Sequence, residues 1–175
     1  MKSCWIITPV VFLISVFSNK IFAQLPHGGL YVHALYASPL DKSSKKFYNG
    51  GAGAAAGILA GKKTTRFNAS VGYLYLLADK SENVSGSQVY IPFKAGIRQY
   101  LPLTLHTLFI QGNAGVGFVS YKNNANNDSR FAFDFGAGIK LTTFEAALLW
   151  ENFKEKNPSG YSSWLTIQAG FNIGL

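Results

Sequence analysis

Six charged residues recur at alternate positions in otherwise apolar segments, and they are the first candidates for chemistry. Three are basic and three acidic: Lys94, Arg98, Lys140, Asp134, Glu145 and Glu151. Polar amides lie in comparable positions at Asn68, Gln111, Asn113, Gln168 and Asn172. Charges that share an enclosed space of low dielectric must pair. We therefore expect a structural network of salt bridges, with a proton or ion path as the alternative.

The histidines form no pattern for nucleophilic catalysis. They are His27, His33 and His106, and a histidine that activates a serine needs that hydroxyl within hydrogen-bond reach. His106 is followed by Thr107 and Leu108, and His33 has no recognisable serine motif beside it. The spacing typical of metal ligands is also missing from the sequence. We expect no catalytic, cofactor-binding or metal-binding residues, and no enzyme.

The segment 51–57 reads GAGAAAG and is similar to a dinucleotide-binding fingerprint. A true fingerprint follows a buried strand and opens a helix, and neither pattern flanks this segment. A strand of small residues explains it better, because such a strand lets a sheet bend or leaves space for bulky neighbours.

These candidate residues lie in segments that alternate between apolar and polar or small residues. Residues 130–141 read RFAFDFGAGIKL and residues 164–175 read WLTIQAGFNIGL, with every second residue apolar. A period of two indicates β-strands. We predict eight strands, at residues 28–37, 50–60, 65–77, 87–100, 105–121, 130–141, 144–153 and 162–175.

The connectors between the predicted strands alternate in length. The longer and polar connectors are residues 38–49, 78–86, 122–129 and 154–161. The short connectors are residues 61–64, 101–104 and 142–143. Bacterial transmembrane barrels have short periplasmic turns and longer external loops. The predicted fold is therefore all-β, an eight-stranded antiparallel up-and-down transmembrane β-barrel with the longer connectors outside.

The composition favours a membrane barrel over a water-soluble barrel such as a lipocalin. Charged residues make up only 14% of the chain, whereas soluble domains contain about 25%. The polar face of a soluble barrel meets water, but here that face is rich in glycine. Small residues suit the interior of an eight-stranded barrel. The large apolar side chains must then point outward, which only lipid tolerates.

Residues 1–23 have the pattern of a secretory signal peptide, followed by a barrel domain at residues 24–175. Lys2 supplies the positive start, Trp5–Phe17 form the apolar core, and Ala23 is a small residue at a plausible cleavage point. The apolar core is shorter than the about 20 residues of a spanning helix, although an uncleaved anchor is the alternative.

The predicted export affects which partners the net charge of +8 could attract. An exported protein seldom meets nucleic acid, so basic residues near the membrane ends would instead face anionic headgroups or lipopolysaccharide phosphates. Cleavage after residue 23 would also remove Cys4, the only cysteine. Disulfides and cysteine chemistry are then not expected.

Aromatic residues cluster near the ends of the predicted strands. Those near the longer connectors are Tyr36, Tyr75, Tyr121, Phe131, Trp150, Tyr161 and Trp164. Outer-membrane barrels carry aromatic girdles at both membrane interfaces. We predict that these residues form one girdle, and the alternative is the ordinary preference of aromatic residues for strands.

The short connector between the sixth and seventh strands sets their register. It places Lys140 nearly opposite Glu145, where cross-strand side chains lie about 5 Å apart. The same register brings Asp134 close to Glu151, and two carboxylates there would repel. We therefore predict a Lys140–Glu145 pair, together with a contact from Arg130 to Asp134 or Glu151.

The mature chain resembles the small eight-stranded bacterial outer-membrane β-barrels, including the outer membrane protein beta-barrel domain and the outer-membrane protein A and X-type barrels. Glycine-rich alternating strands carry the resemblance, such as FDFGAGI at 133–139 and the final QAGFNIGL at 168–175. It implies a place in the cell outer membrane. Outer-membrane lipid, lipopolysaccharide and the barrel-assembly machinery would be the partners, and nucleic acid would not.

The resemblance leaves three functions open. A structural or surface-interaction role without catalysis is the leading hypothesis, and a narrow pore for ions or small solutes is the alternative. The third is a lipid A-modifying enzyme, because some barrels of this size deacylate lipid A. Those deacylases carry a His-x-Ser-Asn pattern, and none of the three histidines here begins one.

Overall fold

The computed structural model describes residues 28–62, 64–78, 87–102, 107–121, 124–154 and 161–174. The predicted signal peptide, His27 and His106 lie outside the described residues, as do parts of several predicted connectors.

Eight antiparallel strands form a closed barrel in which each strand pairs with its neighbours in sequence and the first pairs with the last. The elements are β1 (Gly28–Pro39), α1 (Lys42–Phe47), β2 (Tyr48–Lys62), β3 (Thr65–Ala78), β4 (Gln88–Pro102), β5 (Thr107–Tyr121), β6 (Asn124–Leu141), β7 (Phe144–Lys154) and β8 (Tyr161–Gly174). The predicted fold is confirmed. Among the described residues, no helix has the length and apolar character needed to cross a membrane.

The alternation in the sequence separates an outward apolar face from an inward polar face. On β4, Phe93 and Ile97 are 51% and 50% exposed, whereas Lys94 and Arg98 between and after them are 9% and 1% exposed. Burying one large apolar side chain away from water is worth about 1.5–3 kcal/mol. A continuous outer surface of such side chains is therefore stable only in contact with lipid.

The predicted loop at 122–129 is wrong for most of its length, because β6 begins at Asn124. Asp128 pairs with Val119, and Asn124 pairs with Tyr121 after a shift in register. Asparagine, aspartate and serine have low strand propensity, so the segment resembles a loop. The backbone ladder of the β5–β6 hairpin nevertheless continues through it.

The predicted loop at 38–49 contains the short helix α1. The carboxylate of Asp41 caps the helix, since its Oδ2 accepts a hydrogen bond from Ser44 N at 2.8 Å. Its Oδ1 accepts another from Ser163 N at 2.9 Å, and the hydroxyls of Ser44 and Ser162 lie 2.5 Å apart. The helix is thus fastened to the beginning of β8.

Close packing of neighbouring strands explains a glycine on the inward face of β5. A Cβ at Gly115 would overlap the carbonyl oxygen of Phe93 and lie 2.9 Å from the Cα of Lys94. Gly112 on the outward face of the same strand has space, because its nearest atoms would lie 3.9 Å away. Only the first of these two positions requires glycine.

This contrast predicts opposite effects for two alanine substitutions. Gly115→Ala should lower the free energy of unfolding by about 1–3 kcal/mol, because the backbone must shift. Gly112→Ala should leave it unchanged or raise it by up to about 1 kcal/mol. Denaturant unfolding from lipid vesicles measures both, and equal losses would contradict the packing described for Gly115.

The outward position of Phe135, which is 58% exposed, predicts a cost for placing a charge there. Phe135→Arg should lower the free energy of unfolding from vesicles by about 2–4 kcal/mol, the cost of a cation near the bilayer midplane. Phe135→Leu is the apolar control and should cost less than about 1.5 kcal/mol. Similar losses in the two variants would show that residue 135 does not face lipid.

Candidate functional site

The barrel interior contains the charged and amide side chains that the sequence placed on one face. The polar side chains that are buried there include His33, Asn68, Lys94, Arg98, Gln111, Asn113, Arg130, Asp134, Glu145, Glu151, Gln168 and Asn172. Lys140, the remaining member of the predicted network, is half-buried on the same face. Most of these side chains belong to two groups, named here the Lys94 cluster and the Arg98 cluster.

The Lys94 cluster joins one ammonium group to two carboxylates. Lys94 Nζ on β4 lies 2.6 Å from Asp134 Oδ2 on β6 and 2.7 Å from Glu151 Oε1 on β7. Asp134 and Glu151 are direct partners in the β6–β7 ladder, so their carboxylates would repel each other without a cation. The lysine reaches them from a strand that is adjacent to neither β6 nor β7.

A chain of hydrogen bonds extends the Lys94 cluster across the interior. Asn113 Nδ2 donates to Asp134 Oδ1 at 2.7 Å, and Asn68 Nδ2 donates to Asn113 Oδ1 at 2.9 Å. The hydroxyl of Tyr31 donates to Asn68 Oδ1 at 2.7 Å. Every donor points toward the carboxylate, and hydrogen bonds aligned in this way strengthen one another. The chain connects β1, β3, β5 and β6.

The Arg98 cluster is built around Glu145, which is fully buried. Its Oε1 lies 2.8 Å from both Arg98 Nη1 and His33 Nε2, and its Oε2 accepts a hydrogen bond from Asn172 Nδ2 at 2.7 Å. Arg98 Nε donates to Gln111 Oε1 at 2.9 Å. The carboxylate is therefore saturated by groups from β1, β4 and β8.

Aromatic rings enclose the guanidinium group of Arg98. Its central carbon lies 4.3 Å from the ring centre of Phe109 and 5.2 Å from that of Tyr31. Tyr31 also stacks on His33, with ring centres 4.7 Å apart. Such cation–π contacts favour arginine over lysine. Phe109 and Tyr31 were not among the residues predicted from the sequence, although both occupy inward positions in alternating strands.

The register predicted for Lys140 and Glu145 is confirmed, since the two residues are partners in the β6–β7 ladder. The predicted ion pair between them is wrong, because Lys140 is not the cation that pairs with Glu145. The carboxylate of Glu145 turns into the interior, where Arg98 and His33 approach it to 2.8 Å. A side chain that crosses the lumen can reach a better partner than its neighbour on the sheet.

The cation predicted between Asp134 and Glu151 also differs. Lys94, and not Arg130, lies between the two carboxylates. Arg130 is buried, and its guanidinium lies 3.9 Å from the carboxylate of Asp128 on the same strand. Pairing rules for adjacent strands could not locate Lys94, because β4 reaches this point only through closure of the barrel.

Most of the predicted aromatic girdle faces outward. Tyr36, Phe131 and Trp150 are about half exposed, at 54%, 49% and 48%. Tyr75 occupies an outward position and is half-buried. The side chain of Tyr121 lies outside the described residues.

Trp164 was wrongly placed in this girdle. Its side chain is 1% exposed and lies inside the barrel. Its ring packs on Phe153 and Tyr48, with centres 6.4 and 5.9 Å away. Trp164 alternates in phase with Thr166 on the inward face of β8, so its place in the alternation, and not its place near the strand end, decides its orientation.

Little free space remains between the side chains of the two clusters. A central cavity of about 20 Å³ lies among Tyr31, Asn68, Lys94, Asp134 and Glu151. A cavity of this size holds about one water molecule. In the described part of the chain, no group of three or more His, Cys, Asp or Glu side chains could hold a metal ion.

Both ring nitrogens of His33 face other side chains. Nε2 lies 2.8 Å from Glu145, and Nδ1 lies 3.2 Å from the side-chain oxygen of Gln168. The ring is 2% exposed. This histidine is engaged within the interior network, so its geometry is that of a structural residue.

No protein-family model matches the sequence, and no curated protein sequence matches it. The structure is similar to that of Neisserial surface protein A, with 7% identity and a TM-score of 0.56 over 85% of this chain and 96% of that one. It is similar to the outer membrane enzyme PagL, with 14% identity and a TM-score of 0.53 over 82% of this chain and 98% of that one. Ail, the attachment invasion locus protein of Yersinia pestis, matches with 13% identity and a TM-score of 0.50 over 84% and 98%.

Identities this low establish the fold and nothing finer. The outward apolar face adds an independent physical constraint, because it requires a lipid environment. The chain therefore has the fold of the small eight-stranded outer-membrane β-barrels, and its outer surface is that of a bacterial outer-membrane protein.

Proposed function

We propose that this protein is an integral outer-membrane barrel with a closed interior and a structural or surface-interaction role, without catalysis. One observation carries the proposal: the buried charges of the interior neutralise one another across the lumen. Lys94 bridges Asp134 and Glu151, and Arg98 pairs with Glu145. Ion pairs with additional hydrogen bonds on their remaining atoms are the arrangement expected of a permanent plug.

The same contacts argue against a narrow pore. A conducting passage needs water along its length, but side chains from opposite walls meet at two levels of this interior. The central space of about 20 Å³ has room for about one water molecule. Moving Lys94 aside to widen it would leave Asp134 and Glu151 facing each other without their cation.

The position of His33 supports a role without catalysis. PagL is an enzyme of similar fold, so a lipid-modifying activity has to be considered. A membrane lipid approaches a barrel from its outer surface, whereas His33 is buried inside and faces Glu145 and Gln168. A hydroxyl nucleophile next to this histidine would also be out of reach of the lipid.

The outward features of the barrel fit contacts with its surroundings. The helix α1 carries Lys42, Lys45 and Lys46 and no acidic residue, and its attachment to β8 holds these lysines in place. Basic groups at a membrane surface attract anionic headgroups and lipopolysaccharide phosphates. The barrel-assembly machinery is the proposed partner during insertion, since every strand edge must be paired in lipid.

Planar-bilayer recording tests the closed interior. The purified barrel should give no steady conductance above that of the bare bilayer, because the two clusters block the lumen. Migration of unheated and heated samples on gels verifies that the protein is folded. A steady conductance that changes in Lys94→Gln or Glu145→Gln, but not in Lys62→Gln at an exposed strand end, would favour the pore.

Mass spectrometry of lipid A tests the absence of catalysis. Lipid A from a strain lacking this protein should have the same acyl and phosphate pattern as lipid A from its parent. The proposal would be contradicted if the deletion changed the lipid A pattern, the intact gene restored the parental pattern, and the His33→Ala variant did not. That result would indicate an enzyme.

A further inference from the structure

The end of the barrel that carries the short turns has an excess of positive charge on its inward face. Arg66 on β3 is a direct partner of the buried Arg98 in the β3–β4 ladder, so the two side chains share the inward face. Lys140 on β6 lies on the inward face near the same end, one residue before the strand finishes. Arg66 and Lys140 are both partly exposed, and the name basic mouth refers below to these two residues.

The charges at this level of the lumen do not balance. The carboxylate of Glu145 is already occupied by Arg98 and His33, each at 2.8 Å. In the part of the chain that the structure describes, Arg66 and Lys140 form no ion pair. Glu145 attracts Lys140, but Arg66 and Arg98 are close enough to repel it. Two positive charges therefore remain to be neutralised by an anion from outside the described chain.

An aromatic floor lies beneath the basic mouth. The central carbon of the Arg66 guanidinium lies 5.1 Å from the ring centre of Tyr100. The Tyr100 ring lies 5.8 Å from that of Phe109, and both side chains are buried. Apolar walls lower the local dielectric, which strengthens the repulsion between the two cations and the attraction of an anion to them.

The charged ends of both cations can be reached from the aqueous side. Only Nε of Arg66 is both buried and without a hydrogen-bond partner, so its two Nη groups remain accessible. The ammonium group of Lys140 is accessible by the same criterion. An anion at the mouth can thus contact both side chains without entering the closed part of the lumen.

We propose that the basic mouth binds a dianionic phosphate group, either inorganic phosphate or a phosphate monoester, from the periplasmic side. Two uncompensated cations match the charge of about −1.5 to −2 that a phosphate monoester carries at pH 7, whereas a carboxylate carries a single charge. The Nη groups of Arg66 offer paired donors for phosphate oxygens, and Lys140 adds a compact charge. The inference goes beyond the proposed function and does not depend on whether the lumen conducts.

Amide NMR spectra of the barrel in maltoside micelles, which contain no phosphate, locate the site. Inorganic phosphate is added at constant ionic strength by replacing chloride. We expect saturable shifts at the amides of Arg66 and Lys140, and none at Lys45 and Lys46 of α1. Acetate added in the same way should bind about tenfold more weakly, because it carries one negative charge fewer.

Substitutions test the two cations separately. Arg66→Gln and Lys140→Gln should each lower the association constant for phosphate about tenfold, the effect of losing one charge-assisted hydrogen bond. Lys140→Arg keeps the charge and should retain most of the affinity. Lys62→Gln is the matched control, because Lys62 is an exposed cation at the same end on the outward face of β2. Heat-dependent gel migration verifies that each variant is folded.

Two further probes distinguish the sources of the phosphate group. Glycerol 3-phosphate is a soluble monoester, and short-chain phosphatidylglycerol carries a lipid phosphodiester with a single charge. Shifts with glycerol 3-phosphate that are absent with the lipid would support a soluble ligand. Equal binding of the lipid would assign the site to a membrane headgroup and overturn the preference for a dianion.

Three other outcomes would overturn the proposal. Shifts that increase linearly with phosphate and never saturate would show that no site exists. Equal losses of affinity in Lys62→Gln and Lys140→Gln would show that the effect belongs to the net charge of the barrel. Equal association constants for acetate and phosphate would show that the mouth does not recognise a second negative charge.

Discussion

The pairing of Lys94 with Asp134 and Glu151 is the interaction on which the interior depends. These three groups come from β4, β6 and β7, so they meet only when the barrel has closed. Removing one partner from a buried ion pair costs about 3–5 kcal/mol, because the remaining charge stays in a medium of low dielectric. The same cost applies to Glu145, which relies on Arg98 and His33. Closure of the sheet and neutralisation of the interior are therefore one event.

The narrow interior determines the rest of the architecture. Gly115 permits β4 and β5 to approach closely, because a Cβ there would overlap the backbone of Phe93. Because the inward side chains of the two clusters contact one another, the groups that are free to meet other molecules lie on the outside, in the apolar belt and the lysines of α1, and at the basic mouth. This division explains why the proposed functions involve lipid and surface contacts and not the centre of the lumen.

The two interior clusters take their hydrogen-bond partners from strands all around the barrel. The series from Tyr31 through Asn68 and Asn113 to Asp134 connects β1, β3, β5 and β6, and Glu145 is contacted from β1, β4 and β8. Both clusters therefore hold the barrel together across its lumen as well as along its strand ladders.

The sequence by itself determined the strands, their inward and outward faces, the β6–β7 register and the identity of the buried charges. These features depend on a period of two and on a short turn, and both are local. The tertiary structure decided the partners. Asp134 pairs with Lys94 and not with the predicted Arg130, and Glu145 pairs with Arg98 and not with the predicted Lys140. Trp164 lies inside the barrel, where it packs on Phe153. Residues 124–129 lie in a strand because they pair with β5, and their composition alone did not predict this pairing. Contacts across a lumen join residues from strands that are not neighbours, and only closure of the barrel sets the distances between them.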